Sequence, residues 1–140
     1  VMEWLTHMTR SQSIASDLLS KANAMTDITG FGLAGHLRGM CDASGVGVIL
    51  HLNAIPMMTE AMNLAAKGVR SSLFEDNRLG AGMISGPEFD LLFDPQTAGG
   101  LLAAVPGKKA EDILKKLQDA DYPAAIIGSV TDTGLIETRR

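Results

Sequence analysis

Apolar side chains recur mostly every three or four positions through residues 2–21, with polar side chains between them. That spacing predicts one amphipathic helix over the whole segment. The same spacing predicts a second helix that ends near Gly45, a third that ends at Gly68, and a fourth over residues 108–119. The apolar positions of the first three helices are Met2, Leu5, Met8, Ile14, Leu18 and Leu19; Leu33, Leu37, Met40 and Cys41; and Met58, Ala61, Met62, Ala65 and Ala66.

Shorter segments have the composition of strands. We expect a short extended stretch at residues 21–25 and strands at residues 46–52, 101–105, 124–130 and 135–138. The last two are expected to pair with each other across the turn at residues 131–134.

Residues 68–87 show no hydrophobic period, and five glycines or prolines interrupt them. Such a segment is typical of a long functional or mobile loop. The order of the elements around it predicts an α+β fold in which helices pack on the faces of a mixed β-sheet.

The 140 residues are 46% hydrophobic and 20% charged, which suffices for a single domain, residues 1–140, with its own core. The chain opens at Val1 and not at an initiator methionine, so we expect an excised piece of something longer.

The net charge of −4 argues against nucleic acid or an anionic membrane as a partner. No apolar run approaches the roughly 20 residues of a membrane span, and the first residues do not have the pattern of a signal peptide. The single cysteine, Cys41, excludes an internal disulfide. We therefore expect a cytoplasmic protein.

A turn rich in glycine enters the second helix at Thr29, Gly30, Phe31 and Gly32. Free backbone N–H groups and the helix dipole at such a turn can hold a phosphate oxygen, but close helix packing explains the same glycines. Asp27 lies just before the turn. Its carboxylate can be a capping or Asx-turn group, or one hard oxygen ligand of Mg²⁺.

Three further features are interpreted as structural. Residues 94–102 combine a proline turn with the pair Gly99-Gly100, which favours a turn with glycines at positive φ and Asp94 as its cap. His36 is expected to be a packed, hydrogen-bonded histidine, and Cys41 a small buried hydrophobe.

Taken together, residues 24–37, AMTDITGFGLAGHL, and residues 94–102, DPQTAGGLL, closely resemble the carboxy-terminal half of selenophosphate synthetase, also called selenide, water dikinase. Shorter matches occur in the family's order at residues 43–46, 55–56, 77–78 and 126–128, so the resemblance covers nearly the whole chain. It implies the carboxy-terminal domain fold shared with aminoimidazole ribonucleotide synthetase, which is partly like ferredoxin.

The family makes selenophosphate from selenide and ATP with Mg²⁺, and releases AMP and orthophosphate. The resemblance implies that Asp27 is a Mg²⁺ ligand. It also implies that the catalytic cysteine or selenocysteine and most nucleotide contacts belong to an amino-terminal domain, the partner of this one in a homodimeric enzyme. The chain is then expected to hold no catalytic residue and to be inactive alone.

Two departures from the family pattern support alternative hypotheses. Ala98 replaces the usual serine, and residues 71–76, SSLFED, stand where Gly-Gly-Thr usually precedes the asparagine. The alternatives are a divergent paralogue, another ATP-dependent member of the superfamily, and a non-catalytic interaction module. Phe31 argues against the purine enzyme, which tends to have Gly-Gly-Gly in this turn.

Overall fold

The computed structural model describes residues 2–140 of the chain, and the side chains from Leu5 onward. Short helices and strands alternate along it. They are α1 (Met2–Thr9), α2 (Ser13–Leu18), β1 (Ala24–Asp27), α3 (Gly32–Ser44), β2 (Gly47–His51), α4 (Thr59–Ala66), α5 (Phe74–Gly80), β3 (Ile84–Ser85), β4 (Leu101–Ala104), α6 (Gly107–Asp119), β5 (Gly128–Thr131) and β6 (Ile136–Arg139).

The strands form two sheets. In the smaller sheet β1 pairs antiparallel with β4, and Asp27 lies opposite Leu101. The larger sheet has the order β3-β6-β2-β5; β2 runs antiparallel to β5 and parallel to β6, and β3 runs parallel to β6. The predicted α+β fold with a mixed sheet is therefore confirmed, and β1 and β4 form a separate sheet.

Buried apolar side chains form two clusters in the part of the chain whose side chains are described. The larger one joins α3 and α5 to the four-stranded sheet, and includes Leu37, Leu50, Phe74, Phe93 and Ile136. The smaller one joins α2 and α6 to β4 around Ala15, Leu19 and Leu117. Burial of these side chains from water is the main term that stabilises the fold.

The prediction of a single helix over residues 2–21 is wrong, because the helix is interrupted between α1 and α2. No apolar side chain occurs from residue 9 to residue 13, and the hydroxyls of Ser11 and Ser13 bond to each other at 3.0 Å. The side chain of Gln12 is bonded outside the helix as well, since its Nε2 donates to the carbonyl oxygen of Gly99 at 2.7 Å. Side chains that bond to each other and to distant backbone compete with helix continuation.

The loop predicted over residues 68–87 is also wrong, because it contains α5 and β3. The inward positions of this segment are Phe74, Asn77 and Ala81, of which Ala81 is completely buried. One is polar and one is small, so a hydrophobic pattern does not reveal the helix.

The predicted pairing of residues 124–130 with residues 135–138 is wrong as well. The first strand starts only at Gly128, and β2 lies between β5 and β6. The turn that joins β5 to β6 passes over Gly47 in β2, where a Cβ would lie 2.6 Å from the carbonyl oxygen of Leu135. Glycine at this position gives the turn room to cross β2.

The remaining predicted elements occur close to their expected positions. β1 starts three residues later than the extended stretch expected at residues 21–25. α3 ends where Gly45 adopts a left-handed conformation, with φ of 64°. Glycine is favoured at such a helix end because it has no Cβ.

Candidate functional site

The two sequence strings that carry the resemblance lie side by side. Residues 27–32, the aspartate loop, run from the end of β1 into α3, and residues 93–100, the glycine loop, lead into β4. The antiparallel pairing of β1 with β4 continues into the loops, because Ile28 N donates to the carbonyl oxygen of Gly100 at 2.9 Å. Gln96 N donates to the carbonyl oxygen of Thr29 at 3.0 Å. The fold thus brings together loops that are about 65 residues apart in sequence.

Two glycines allow the loops to pack this closely. Gly32 has a φ of 70°, and a Cβ there would lie 2.9 Å from the carbonyl oxygen of Leu92. A Cβ at Gly99 would collide with the carbonyl oxygen of Ile28. Gly99 and Gly100 do not have positive φ, so the turn geometry expected for them is wrong; Gly99 is required for close approach. Close packing therefore explains part of the glycine content of both loops.

Asn77, which the sequence analysis did not single out as a site residue, joins the two loops. Its side chain is buried, and its Nδ2 donates to the carbonyl oxygens of Gly30 and Phe93, at 2.9 Å each. Both amide hydrogens are thus used. The presence of Asn77-Arg78 among the motifs of the resemblance is the one signal that pointed to this residue.

His36, on α3, bonds to the aspartate loop at Thr29. Thr29 N donates to His36 Nε2 at 3.0 Å, and Thr29 Oγ1 lies 3.1 Å from the same nitrogen. Because Nε2 accepts a hydrogen bond from this backbone N–H, it carries no hydrogen itself, and the ring hydrogen lies on Nδ1. The expectation of a hydrogen-bonded histidine is confirmed. The N–H of Thr29 is used within the protein.

The other predicted phosphate contacts differ in their surroundings. Gly30 is exposed, and Phe31 is 67% exposed. We find no hydrogen bond from the N–H of Gly30 or of Phe31 within residues 2–140. The N–H of Gly32 donates to the carbonyl oxygen of Thr29 at 3.1 Å. Two of the four residues therefore retain a free backbone donor, and phosphate binding by this loop stays a prediction.

Asp27 is exposed at the end of β1, beside the loop. The capping interpretation is wrong, because α3 has Phe31 at its N-cap and no side-chain capping bond. No partner of the Asp27 carboxylate is found among the described side chains, and these contain no cluster of three or more His, Cys, Asp or Glu suited to a metal ion. One carboxylate provides one hard oxygen, which suits Mg²⁺ but does not complete its coordination.

Asp94 is a further acidic group, in the glycine loop. It lies half-buried at the start of the glycine loop, and burial raises the pKa of its carboxyl group. Desolvation disfavours the charged form of an acid, and carboxyl groups perturbed in this way are frequent at functional sites. Cys41, by contrast, is buried in the larger cluster; burial raises the pKa of its thiol, as expected for an inert, hydrophobic cysteine.

The helices of residues 2–140 include none that combines the length and apolar character needed to cross a membrane.

A family model described as AIR synthase related protein, C-terminal domain, matches residues 3–139. The chain belongs to this family.

Curated relatives named selenide, water dikinase confirm the resemblance seen in the sequence. The protein of that name from Desulfitobacterium hafniense strain Y51 is 40% identical over 114 residues, which is 77% of this chain and 33% of that protein. Selenide, water dikinase 2 from Peptoclostridium acidaminophilum is 35% identical over 93% of this chain and 39% of its own length. The chain thus spans between a third and two fifths of these relatives, in their carboxy-terminal part.

Solved structures share the fold. The hydrogenase maturation protein HypE of E. coli superposes with a TM-score of 0.64 and 20% identity, over 93% of this chain and 36% of that one. The HypE-HypF complex gives the same TM-score and identity over 89% of this chain and 35% of that one. At this identity the likeness concerns the fold alone.

Proposed function

We propose that the chain is the carboxy-terminal domain of an ATP-dependent selenophosphate synthetase, which makes selenophosphate from selenide and ATP and releases AMP and orthophosphate. The observation that carries the proposal is the packing of the aspartate loop against the glycine loop. These loops hold the family's most specific strings, and the relatives named selenide, water dikinase support the same activity. The enzyme would act in the cytoplasm as a homodimer.

In this proposal Asp27 supplies one ligand to Mg²⁺, which when bound neutralises phosphate charge and orients the nucleotide. The free N–H groups of Gly30 and Phe31, beside the first turn of α3, would donate hydrogen bonds to a phosphate oxygen. Asn77 and His36 hold the backbone of the loop that carries these groups. The role of this domain is therefore to position the phosphates and the metal ion.

The rest of the site would come from an amino-terminal domain, the partner of this one. That domain would provide the nucleophile, its lysine, the other carboxylates and most nucleotide contacts. A single carboxylate without a nucleophile does not hold and cleave ATP, so we expect the 140-residue chain alone to be inactive.

A divergent paralogue is the second candidate, because Ala98 lacks the hydroxyl of the usual serine and residues 71–76 lack the usual Gly-Gly-Thr. Residues 74–76 open α5, the helix that carries Asn77. A different sequence at residues 71–76 would change how the enzyme handles its substrate, while the aspartate loop stays packed against the glycine loop.

The test is selenide-dependent formation of AMP from ATP by the full-length protein. We expect Asp27→Asn to lower this activity by about two orders of magnitude or more, because a neutral amide is a poor Mg²⁺ ligand of nearly the same volume. Asp17→Asn is the matched control, since Asp17 is an exposed aspartate on α2. Urea unfolding should be unchanged in both variants, since the backbone pairing of Asp27 with Leu101 is kept and its carboxylate has no partner among the described side chains.

Full activity in Asp27→Asn would remove Asp27 from the mechanism. An unsubstituted full-length protein that forms no AMP with selenide, but hydrolyses ATP with another substrate, would favour the divergent paralogue.

A further inference from the structure

Arg70 lies between α4 and α5, outside the aspartate loop and the glycine loop. Its guanidinium donates two hydrogen bonds to the Asp90 carboxylate, from Nε to Oδ2 at 2.7 Å and from Nη2 to Oδ1 at 3.1 Å. The guanidinium carbon also lies over the Phe74 ring, 4.3 Å from its centre. One side chain thus contacts both the start of α5 and the turn at Asp90–Leu92, which precedes the glycine loop.

Both contacts lead to Phe93, the first residue of the glycine loop. The backbone N–H of Phe93 donates to the carbonyl oxygen of Asp90 at 3.0 Å. The Phe93 ring meets the Phe74 ring edge to face, with the two ring centres 5.7 Å apart. Phe93 is almost completely buried. Arg70 therefore holds Phe93 along two routes, one through the backbone and one through the aromatic rings.

The position of Phe93 in turn determines the shape of the aspartate loop. A Cβ at Gly32 would lie 2.9 Å from the carbonyl carbon of Phe93, so the two backbones are in close contact. The carbonyl oxygen of Phe93 also accepts a bond from Asn77, which bonds to Gly30 as well. Gly30 and Gly32 flank Phe31. A displacement of Phe93 is therefore transmitted to both sides of the free N–H groups in this loop.

The arrangement of Arg70 favours geometry over stability. The Arg70 and Asp90 side chains are 47% and 29% exposed, and an ion pair open to water contributes little to the free energy of folding. A bidentate pair nevertheless fixes the distance and direction of the carboxylate. The stacking on Phe74 also needs the planar guanidinium, which a lysine does not provide.

We propose that Arg70 is a positioning residue of the aspartate loop, which acts through Asp90, Phe74 and Phe93 and not by contact with the nucleotide. The inference rests on the proposed function, and it adds a residue outside the two loops on which nucleotide binding depends.

The first test is the kinetics of selenide-dependent AMP formation by the full-length protein. We compare Arg70→Ala, Arg70→Lys, Asp90→Ala and the double variant Arg70→Ala/Asp90→Ala. Lys115→Ala is the matched control, because it removes another exposed ion pair, with Asp119 at 2.7 Å on α6. Urea unfolding of each variant is measured alongside.

We expect the KM for ATP to rise about tenfold in each single variant at Arg70 or Asp90, and no further in the double variant, because one contact is lost in all of them. The kcat and the urea midpoint should change little, and Lys115→Ala should leave every value unchanged. An unchanged KM in Arg70→Ala would overturn the proposal. So would a raised KM in Arg70→Ala with normal values in Arg70→Lys and Asp90→Ala, because the arginine would then contact the nucleotide directly through its charge.

The second test does not depend on turnover. In the 140-residue chain, Arg70→Ala should speed hydrogen exchange at the amides of Phe93 and Gly32 by about tenfold, and leave that of Leu117 on α6 unchanged. Unchanged exchange at Phe93 and Gly32 would overturn the proposal. Faster exchange at both, in a protein whose unsubstituted full-length form makes no AMP with selenide, would keep Arg70 as the positioning residue of the loop and reject the proposed function.

Discussion

The side-chain amide of Asn77 donates to the carbonyl oxygen of Gly30, 47 residues away in the chain, at 2.9 Å. Its second bond, to the carbonyl oxygen of Phe93, has the same length. One buried side chain on α5 thus sets the distance between the aspartate loop and the glycine loop.

We expect Asn77→Ala to destabilise the 140-residue chain by about 1 to 3 kcal/mol, because it leaves the buried carbonyl oxygen of Phe93 and the partly buried carbonyl oxygen of Gly30 without this donor. Urea unfolding measures the effect. Asn63→Ala is the control, because Asn63 is exposed on α4. Equal stability of the two variants would mean that Asn77 does not hold the loops.

The pair Gly99-Gly100 provides a comparison between adjacent positions. Gly99→Ala should destabilise the chain by more than about 2 kcal/mol, because its Cβ would collide with the carbonyl oxygen of Ile28. Gly100→Ala should change the stability by no more than about 0.5 kcal/mol, since nothing lies within 4 Å of that Cβ. Thermal or urea unfolding distinguishes them, and similar values for both variants would contradict the loop packing.

Asp94 should make stability depend on pH. Burial raises the pKa of its carboxyl group, so the folded protein binds the proton more tightly than the unfolded chain. Its contribution then favours folding at low pH, and falls as the pH rises from the unfolded pKa, about 4, through the folded pKa. We therefore expect Asp94→Asn to raise the urea midpoint at about pH 7 and to have little effect at about pH 3, where the carboxyl is protonated in both states.

Asp17→Asn is the control for this experiment, because Asp17 is exposed and its charge remains in water. An Asp94→Asn variant whose stability relative to the wild type is the same at both pH values would show that Asp94 is not desolvated in the folded chain.

Hydrogen exchange should divide residues 68–87 into two parts. The amides of the buried residues Asn77, in α5, and Ala81, at its carboxyl end, donate to the carbonyl oxygens of Leu73 and Asn77, at 2.9 and 3.0 Å. We expect these amides to exchange slowly, and those of the exposed residues Arg70 and Ser72, which have no hydrogen-bond acceptor among the described residues, to exchange fast. Uniformly fast exchange over the whole segment would support the mobile loop predicted from the sequence.

Hydrophobic periodicity predicted those elements whose inward positions are apolar. Leu33, Leu37 and Cys41 indicated α3, and Ile113, Leu114 and Leu117 indicated α6. The pattern failed at α5, where the buried positions are Phe74, the polar Asn77 and, just after the helix, the small Ala81. It also failed at the break after α1, where a long-range bond of Gln12 competes with the helix. Both failures occur where side chains bond to backbone far away in sequence.

The candidate site could be predicted from the sequence only in part, because some of its features depend on contacts between distant segments. Asp27 and the glycines were found from local pattern and from the resemblance. The bond from Asn77 to Gly30 and the burial of Asp94 depend on how distant loops pack, which no local pattern reports.

Strand β6 takes part in two of the three pairings of the larger sheet, with β2 and with β3. It is also the last strand of the chain, whereas β2 is near the first third. During synthesis on the ribosome, both edges of β2 therefore stay unpaired until almost the whole domain has been made. An unpaired strand edge can pair with another nascent chain. A carboxy-terminal truncation that removes β6 should for this reason lower the yield of soluble protein through failed assembly of the sheet, even though the aspartate loop is far from it in sequence.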